Sequence, residues 1–319
     1  MKIKVSTILK RISILLLLSL GIIVVVFGYK DIPLETLKQK YSNSNSGFIK
    51  VQNIDVHYRE QGPLSDTNPI ILLHGTGASL HTFKAWADTL SKNHRVISID
   101  LPAYGLTGPF QSADYSMTNY IDFLNAFLDK KEIESCTLMG NSFGGAIAWN
   151  YSLQFPDQIS ELVLIDASGY PTISQSTPVL FKLGNIALFK DIFTYITPKF
   201  LVKSSVENVY AQPTKVTSEL VNRYFDMSLR PGNRAAFFDR QKAAKDSTAY
   251  LKIPQIQQRT LVLWGAKDRL IPVENAYKFH RDIPNSELVI LKDLGHTPME
   301  EDPSNSLKPV LSFLSKKVN

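Results

Sequence analysis

The amino-acid sequence predicts an α/β fold with a mostly parallel sheet of about eight strands and helices on both faces. Three observations lead to this class. Short apolar runs typical of buried strands recur along the chain, and segments with apolar residues at helical spacing separate them. The alternation stops once, over a long stretch rich in large apolar residues, and then resumes. Strands that alternate with helices favour a parallel sheet covered on both faces.

The N-terminal segment differs from the rest of the chain in charge and hydropathy. Eighteen uncharged residues (ISILLLLSLGIIVVVFGY) lie between Arg11 and Lys30, and an apolar run of this length can just span a bilayer as a helix. The basic residues before the run favour a cytoplasmic N-terminus. We therefore expect residues 1–30 to be an N-terminal transmembrane helix that crosses the cell membrane through residues 12–29, with the rest exported to the periplasm or the extracellular side. The alternative is a cleaved signal peptide and a secreted remainder.

A polar segment and a hairpin follow. Residues 31–47 are polar and end in a cluster of Ser and Asn, which predicts a linker or a short helix. FIKV and IDVHYRE then alternate apolar and polar residues on either side of Gln52 and Asn53, which predicts a two-stranded hairpin. This hairpin opens the first part of the core, which we place at residues 48–169.

The remaining strands are predicted from apolar runs bounded by turn residues. They are PIILLHG (69–75), RVISID (95–100), SCTLMG (135–140), ELVLID (161–166), RTLVLWG (259–265) and SELVILK (286–292). Helical patterns lie at residues 80–92, 118–131, 142–155, 272–282 and 303–316. The last two strands belong to the second part of the core, residues 256–319.

The alternation is interrupted at residues 170–255, after the sixth strand. This stretch is rich in large apolar residues, and prolines at 178, 198, 213 and 231 divide it into short pieces. We expect a helical cap inserted between two strands of the sheet. The alternative is that these helices are simply a second core layer.

Charge and cysteine content exclude several classes of function. The formal net charge is +6, but five of those charges belong to residues 1–30, so the remaining chain is close to neutral. A nucleic-acid interface needs basic residues clustered on one face, and we expect none here. The single cysteine, Cys136, cannot form an internal disulfide or a cysteine metal site. We expect it to be a buried residue of a strand.

The stretch MGNSFGG holds a candidate nucleophile, Ser142, between Gly140 and Gly144. A predicted strand precedes it and a predicted helix follows it, which is the context of the nucleophile elbow G-x-S-x-G. The sharp turn strains the serine backbone and crowds the residues two before and two after it, where glycine is tolerated. The turn would present the hydroxyl above the sheet and leave the N–H of Phe143 free to stabilise an oxyanion.

A serine hydroxyl needs a base that is held by a third group, and the chain order for this elbow is serine, acid, histidine. His296 lies in the loop DLGHTPMEEDP after a strand, where ligand-facing groups collect in open α/β sheets. Asp268, in WGAKDRLIP, follows the preceding strand. We expect neighbouring strand ends to bring this histidine and this acid together. The second oxyanion donor is expected at the N–H of Thr76, in the loop HGTG (74–77).

Other acids could in principle serve instead. Asp166 also ends a strand and is the alternative acid of the site. We expect Asp293 to shape the loop of the candidate base, and Asp100 to be structural.

The other histidines are expected to have no catalytic role. His280 lies in a predicted helix and should be on the surface, and His74 should hold its loop by hydrogen bonds. His57, His81 and His94 show no pattern of partners in the sequence.

Five motifs, in the order HGTG, DLPAYGLTGP, GNSFGG, WGAKDRLIP and LGHTPMEEDP, resemble the landmarks of the α/β-hydrolase fold family. The resemblance covers about residues 48–316. It implies a triad of Ser142, His296 and Asp268, an oxyanion hole from Thr76 and Phe143, and a cap after the sixth strand, with no cofactor or metal. The chain departs from the family at position 103, where alanine replaces the usual glycine, which affects the local shape of the loop.

For the substrate we expect an ester with an apolar acyl part, cleaved by a carboxylesterase or lipase-like enzyme. Dehalogenases and epoxide hydrolases of the family use aspartate at the elbow, so Ser142 argues against both. A carbon–carbon bond hydrolase resembles the chain at GNSFGG, but Thr297 replaces its typical tryptophan. It would also need a cationic pocket, for which Arg223, Arg230 and Arg234 are available. A perhydrolase-type relative and a non-catalytic binding protein are further alternatives.

Overall fold

The computed structural model describes residues 5–183, 194–243 and 246–316. In these residues an eight-stranded sheet has the strand order β1-β2-β4-β3-β5-β6-β7-β8. The strands are β1 (Ser46–Val51), β2 (Ile54–Gln61), β3 (Ile70–Leu73), β4 (Val96–Ile99), β5 (Cys136–Asn141), β6 (Ile159–Ile165), β7 (Arg259–Gly265) and β8 (Ser286–Leu291). The pairs β1–β2 and β2–β4 are antiparallel and the other neighbouring pairs are parallel. The predicted mostly parallel sheet of eight strands is confirmed.

Helices connect the strands. The described α-helices are α1 (Val5–Phe27), α2 (Leu34–Tyr41), α3 (Lys84–Leu90), α4 (Met117–Lys130), α5 (Phe143–Gln154), α6 (Val179–Leu183), α7 (Lys199–Val209), α8 (Ser218–Ser228), α9 (Asn233–Lys242), α10 (Glu274–Asp282), α11 (Pro298–Glu301) and α12 (Pro303–Ser315). Short 3₁₀ helices occur at Leu80–Phe83, Pro156–Gln158, Pro213–Lys215 and Ala249–Gln255. The predicted helices at 118–131, 142–155 and 303–316 agree with α4, α5 and α12 to within one residue at each end.

The sheet is apolar on both faces, which is why helices cover both. In β3, alternate residues point to opposite faces: Ile71 belongs to the cluster that contains Phe123 of α4, whereas Ile70 belongs to the cluster that contains Trp86 of α3. Every residue of β3 and of β5 is buried. Burying each large apolar side chain in this way contributes about 1.5–3 kcal/mol to folding. Cys136 is buried in β5 as a free thiol, as expected.

The chain leaves the sheet between β6 and β7, at the place where the sequence predicts an insertion. Its described residues form α6 to α9 and the 3₁₀ helix Ala249–Gln255. Residues 184–193 and 244–245 of the predicted cap lie outside the described residues. Proline marks element boundaries here, because it cannot donate a backbone hydrogen bond within a helix: Pro198 caps α7. We continue to interpret residues 170–255 as a cap.

The prediction of a membrane anchor was wrong. No helix among the described residues is both long and apolar enough to cross a membrane. α1 ends at Phe27, so only residues 12–27 of this helix follow the charged pair Lys10 and Arg11. At 1.5 Å per residue those residues span about 24 Å, less than the ~30 Å hydrocarbon core of a bilayer. The predicted crossing through residues 12–29, and the export of everything after it, are therefore not supported.

The chain after α1 is joined to the insertion. The N–H of Thr197 donates to the carbonyl oxygen of Phe27 at 3.0 Å. The guanidinium of Arg234, which is 8% exposed, pairs with the Asp31 carboxylate at 2.6 Å. Residues 31–47, expected to be a linker or a short helix, contain α2, whose Leu37 is buried. The N-terminal segment is thus a packed part of the molecule from residue 27 onwards.

Candidate active site

Ser142 lies at the turn between β5 and α5, with φ 53° and ψ −113°. A positive φ of this kind costs a non-glycine residue about 1–3 kcal/mol. A Cβ on Gly140 would lie 2.2 Å from the carbonyl oxygen of Gly144, and a Cβ on Gly144 would lie 2.2 Å from the carbonyl oxygen of Leu73. Both positions therefore require glycine. The strained serine and its two glycines have the geometry expected of a nucleophile elbow.

His296 and Asp268 lie in the loops that follow β8 and β7, and the fold brings them into contact. Nδ1 of His296 is 2.6 Å from Oδ2 of Asp268. The other carboxylate oxygen accepts the N–H groups of Leu270 and Ile271 at 2.8 and 2.9 Å. Both side chains are buried. Because Nδ1 carries its proton toward the carboxylate, Nε2 is the nitrogen left to act as an acceptor.

Ser142 and His296 line one cavity, with a volume of about 1140 Å³. No hydrogen bond joins the two side chains among those of the described residues, and such contacts are often long before substrate binds. Thr76 and Phe143 line the same cavity. In the described chain neither N–H donates one of the backbone hydrogen bonds made outside helices and strands. Both amides are therefore available to an oxygen atom of a bound ligand.

Two residues that sequence reasoning did not single out hold the loop of His296. The side-chain amide of Asn141 donates to the carbonyl oxygen of His296 at 2.9 Å. The buried carboxylate of Glu301 accepts the N–H of Gly295 at 2.8 Å and that of Ala211, in the insertion, at 3.1 Å. Both residues lie inside the quoted motifs, but their partners are distant in sequence and no local pattern names them.

Asp166, the alternative acid, does not contact the imidazole through a hydrogen bond. It is fully buried, Oδ1 accepts the N–H of Gly265 at 2.9 Å, and Oδ2 has no partner among the described residues. Burial, and after it the negative charge of Asp268, raise the pKa of Asp166 well above its ordinary value. We therefore treat Asp166 as a protonated carboxyl beside Asp268.

The side chains of Asp166, Asp268 and His296 are also close enough to hold a metal ion. Donor atoms of Asp166, Asp268 and His296 lie within 4.8 Å of one another. However, the short contact between His296 and Asp268 already uses a nitrogen and an oxygen that a metal would need. The arrangement is better suited to holding a proton than a cation.

His57, which showed no partner pattern in the sequence, belongs to a second buried chain of groups. Its Nδ1 is 2.7 Å from Oδ2 of Asp100 and its Nε2 is 3.0 Å from Oγ of Ser46. The Asp100 carboxylate also accepts the N–H groups of Leu80 and Leu106, each at 2.8 Å. Neither His57 nor Asp100 lines the cavity of Ser142. We interpret this chain as structural, as expected for Asp100.

The other histidines have structural or surface positions. Nδ1 of His74 is 2.8 Å from the carbonyl oxygen of Gly75, and its Nε2 accepts the N–H of Leu101 at 3.0 Å, so the ring ties two loops together. Burial lowers the pKa of His74, which keeps the ring neutral. His280 is exposed, as expected. Burial, together with the charge of Arg59, lowers the pKa of His81 to about 3.

The sequence and the fold of this chain are similar to those of known proteins. A family model described as alpha/beta hydrolase fold matches residues 68–303. The chain is 29% identical over 255 residues to Lipase 1 of Psychrobacter immobilis, with 76% of this chain and 75% of the relative covered. It is 28% identical over 258 residues to the 2-hydroxy-6-oxo-2,4-heptadienoate hydrolase of Pseudomonas putida, with 78% of this chain and 89% of the relative covered. A solved structure from Acinetobacter baumannii, proposed to be a lipase, has a similar fold, with a TM-score of 0.73. The two sequences are 26% identical, and the similarity covers 90% of this chain and 97% of that chain.

Proposed function

The chain belongs to the alpha/beta hydrolase fold family, and from this premise we propose that it is a carboxylesterase or lipase-like enzyme that cleaves an acyl ester through Ser142. The curated relatives described above are hydrolases that cleave either an ester or a carbon–carbon bond. Membership of the family therefore makes this chain a hydrolase, and the proposal concerns the bond that it cleaves and the residues that act.

The proposed mechanism has two halves. Ser142 attacks the ester carbonyl, and Nε2 of His296 takes the hydroxyl proton and passes it to the leaving alcohol. Asp268 orients the imidazole and stabilises its charged form. The N–H groups of Thr76 and Phe143 stabilise the tetrahedral oxyanion, a type of contact worth about 3–4 kcal/mol per donor. A water molecule, deprotonated by His296, then releases the acid and restores the serine.

The observation that carries the proposal is the buried 2.6 Å contact between His296 and Asp268, with Ser142 on the wall of the same cavity. The carboxylate holds the proton on Nδ1, which leaves the second ring nitrogen as the acceptor. An acceptor of this kind is what a serine hydroxyl needs in order to become a nucleophile.

The cavity supports an ester with an apolar part. Large apolar side chains from the core and from the insertion line it, among them Trp149, Leu153, Phe181 and Phe237. Burial of apolar surface contributes about 25 cal/mol per Å² to binding such a group. The similarity to Lipase 1 of Psychrobacter immobilis agrees with an acyl ester.

Carbon–carbon bond hydrolysis is the second candidate, because the 28% identical relative from Pseudomonas putida is named for such a substrate. The three arginines considered for its carboxylate are already engaged. Arg223 pairs with Glu300, Arg234 pairs with Asp31, and Arg230 donates to a backbone carbonyl oxygen at 3.0 Å. None of these three is free to bind the carboxylate, and Arg240, argued below to bind an anion, would serve either substrate. Ester hydrolysis is placed first because Thr297 stands where carbon–carbon bond hydrolases typically carry tryptophan.

The test uses the purified full-length chain with para-nitrophenyl esters from acetate to palmitate. Ser142→Ala should lower turnover by about 10⁴-fold or more, whereas Ser312→Ala, which removes an exposed hydroxyl of α12, should leave it unchanged. A fluorophosphonate probe should label Ser142 in the wild type and not in Ser142→Ala. If a folded wild type cleaves no ester but does cleave a vinylogous diketone acid, the second candidate replaces the first. Binding of ligands with no turnover would favour a non-catalytic binding protein.

A further inference from the structure

Arg240 of α9 is a cation on the wall of the cavity of Ser142. Its Cζ lies 3.6 Å from the ring centroid of Phe143, so the guanidinium is in contact with the ring of a proposed oxyanion-hole residue. The side chain is half-buried. Among the described residues, no hydrogen bond or ion pair involves the guanidinium. A positively charged group without a partner is unusual in such a position, since buried charges are usually paired.

The hydroxyl of Tyr104 is a second unused donor on the same wall. Tyr104 is 4% exposed and lines the cavity. Its hydroxyl is buried and has no hydrogen-bond partner within the described chain. Burial raises the pKa of Tyr104, and the charge of Arg240 and the side chain of Thr76 oppose that rise. A buried donor without an acceptor is unfavourable, so this hydroxyl is suited to donate to a bound ligand.

The second arginine that lines the cavity, Arg234, is not free to bind an anion. Its guanidinium pairs with Asp31 at 2.6 Å and donates to the carbonyl oxygen of Tyr29 at 3.0 Å. Lys252 and Asp246 also belong to the lining, and both are exposed to solvent. Arg240 is therefore the cavity cation best able to bind a ligand, because it is half-buried and its N–H groups are unused.

We propose that Arg240, assisted by Tyr104, binds an anionic oxygen group of the substrate, so that the preferred ester carries a carboxylate or a phosphate in addition to its apolar part. This inference rests on the proposed ester hydrolysis at Ser142 and specifies its substrate class. Arg240 is here a specificity-determining residue.

The stacking contact explains how the guanidinium is positioned for this task. A guanidinium in contact with an aromatic face keeps its N–H donors at its edge, and they match two oxygens of a carboxylate or phosphate. Phe143 is itself fixed by the Tyr120 ring, whose centroid is 4.9 Å away. The anion site is thus next to the proposed oxyanion hole, and the ring that contacts the guanidinium packs against Tyr120.

The experiment compares two para-nitrophenyl esters of equal length with the full-length chain. One is the hemi-ester of glutaric acid, with a free carboxylate, and the other is its methyl-capped, neutral analogue. The readout is the ratio of kcat/KM for the anionic ester to that for the neutral ester. Arg240→Met keeps the apolar stem and removes the charge. Lys242→Met removes one exposed charge from the same helix and is the matched control.

We expect the wild type to prefer the anionic ester, and Arg240→Met to lower the ratio by about tenfold to a hundredfold. Arg240→Lys should retain part of the preference, Tyr104→Phe should lower the ratio by a smaller factor, and Lys242→Met should leave it unchanged. The inference is overturned if the wild type prefers the neutral ester. It is also overturned if Arg240→Met changes both esters by the same factor, since that would show a positioning role toward Phe143.

Inhibition distinguishes a carboxylate from a phosphate. Glutarate and inorganic phosphate are each titrated against hydrolysis of the neutral ester, and the anion whose inhibition disappears in Arg240→Met identifies the group. Calorimetric titration of the same two anions separates this inference from the proposed function. If the wild type cleaves no ester, binding that is lost in Arg240→Met would still support the anion site. Binding that is unaffected by Arg240→Met, or absent for both anions, would contradict it.

Discussion

The side-chain amide of Asn141 donates a 2.9 Å hydrogen bond to the carbonyl oxygen of His296, a residue 155 positions further along the chain. Asn141 immediately precedes Ser142 at the end of β5, and it is buried. The residue before the proposed nucleophile therefore holds the backbone of the proposed base. This hydrogen bond links the loops of the two proposed catalytic residues without involving either of their side chains.

Asn141→Ala should separate these two loops. The carbonyl oxygen of His296 would lose a buried donor, which costs about 1–3 kcal/mol of unfolding free energy. A small displacement of the imidazole should lower kcat by up to about a hundredfold, with a smaller change in KM. Ester kinetics and urea denaturation measure the two effects, and the exposed Asn93→Ala is the control. Unchanged kcat in a folded variant would show that the hydrogen bond does not position His296.

Asp166→Asn tests whether this buried carboxyl is protonated in the folded protein. Its pKa is raised by burial beside Asp268 and Glu301, whereas the unfolded chain releases the proton above about pH 4. The wild type therefore loses stability as pH rises from there to the folded pKa, by up to about 1.4 kcal/mol per pH unit. Asparagine cannot ionise and still accepts from Gly265.

We accordingly expect the stability of Asp166→Asn relative to the wild type to increase as the pH is raised from about 5 to about 8. Urea denaturation at several pH values measures this difference. A difference that does not depend on pH would mean that Asp166 ionises in the folded chain as it does in the unfolded one.

Glu301→Gln should loosen the loop of His296 and the end of α7 together. The carboxylate accepts the N–H groups of Gly295, Ala211 and Gln212 at 2.8, 3.1 and 2.9 Å. Glutamine replaces one oxygen by an amide that cannot accept, so the unfolding free energy should fall by about 1.5–3 kcal/mol. The melting temperature and kcat should both decrease. Glu274→Gln, at an exposed position of α10, should change neither, and an equal effect of the two variants would exclude this role.

Ala103→Gly should stabilise the protein. Ala103 has φ 82°, in the left-handed region that costs a residue with a Cβ about 1–2 kcal/mol. Glycine removes this strain and loses about 0.5–1 kcal/mol through the greater entropy of the unfolded chain. The net gain expected in the unfolding free energy is about 0.5–1 kcal/mol. Ala126→Gly, inside α4, should have the opposite sign. A destabilised Ala103→Gly would show that the methyl group packs usefully.

Local patterns in the sequence are enough to predict the strands and most of the helices. The runs IILL and CTLM are buried because they are apolar throughout, and the structure has them as β3 and β5. The glycines around Ser142 could also be inferred, since a sharp turn excludes a Cβ at both positions. The apolar run at residues 12–29 predicted a helix, and α1 is one. Its last residue, Phe27, accepts a hydrogen bond from the distant Thr197, which no local pattern predicts.

The sequence by itself determined which residues could carry chemistry: the glycine-flanked Ser142, and His296 and Asp268 in loops after neighbouring strands. The tertiary structure alone decided which polar groups are paired. It bound Arg223, Arg230 and Arg234 to other parts of the chain and left Arg240 without a partner among the described residues. It also brought Asp268, rather than Asp166, into contact with the imidazole of His296. The physical reason is that periodicity reports local burial, whereas a hydrogen bond or ion pair depends on the distance between groups that only the folded chain brings together.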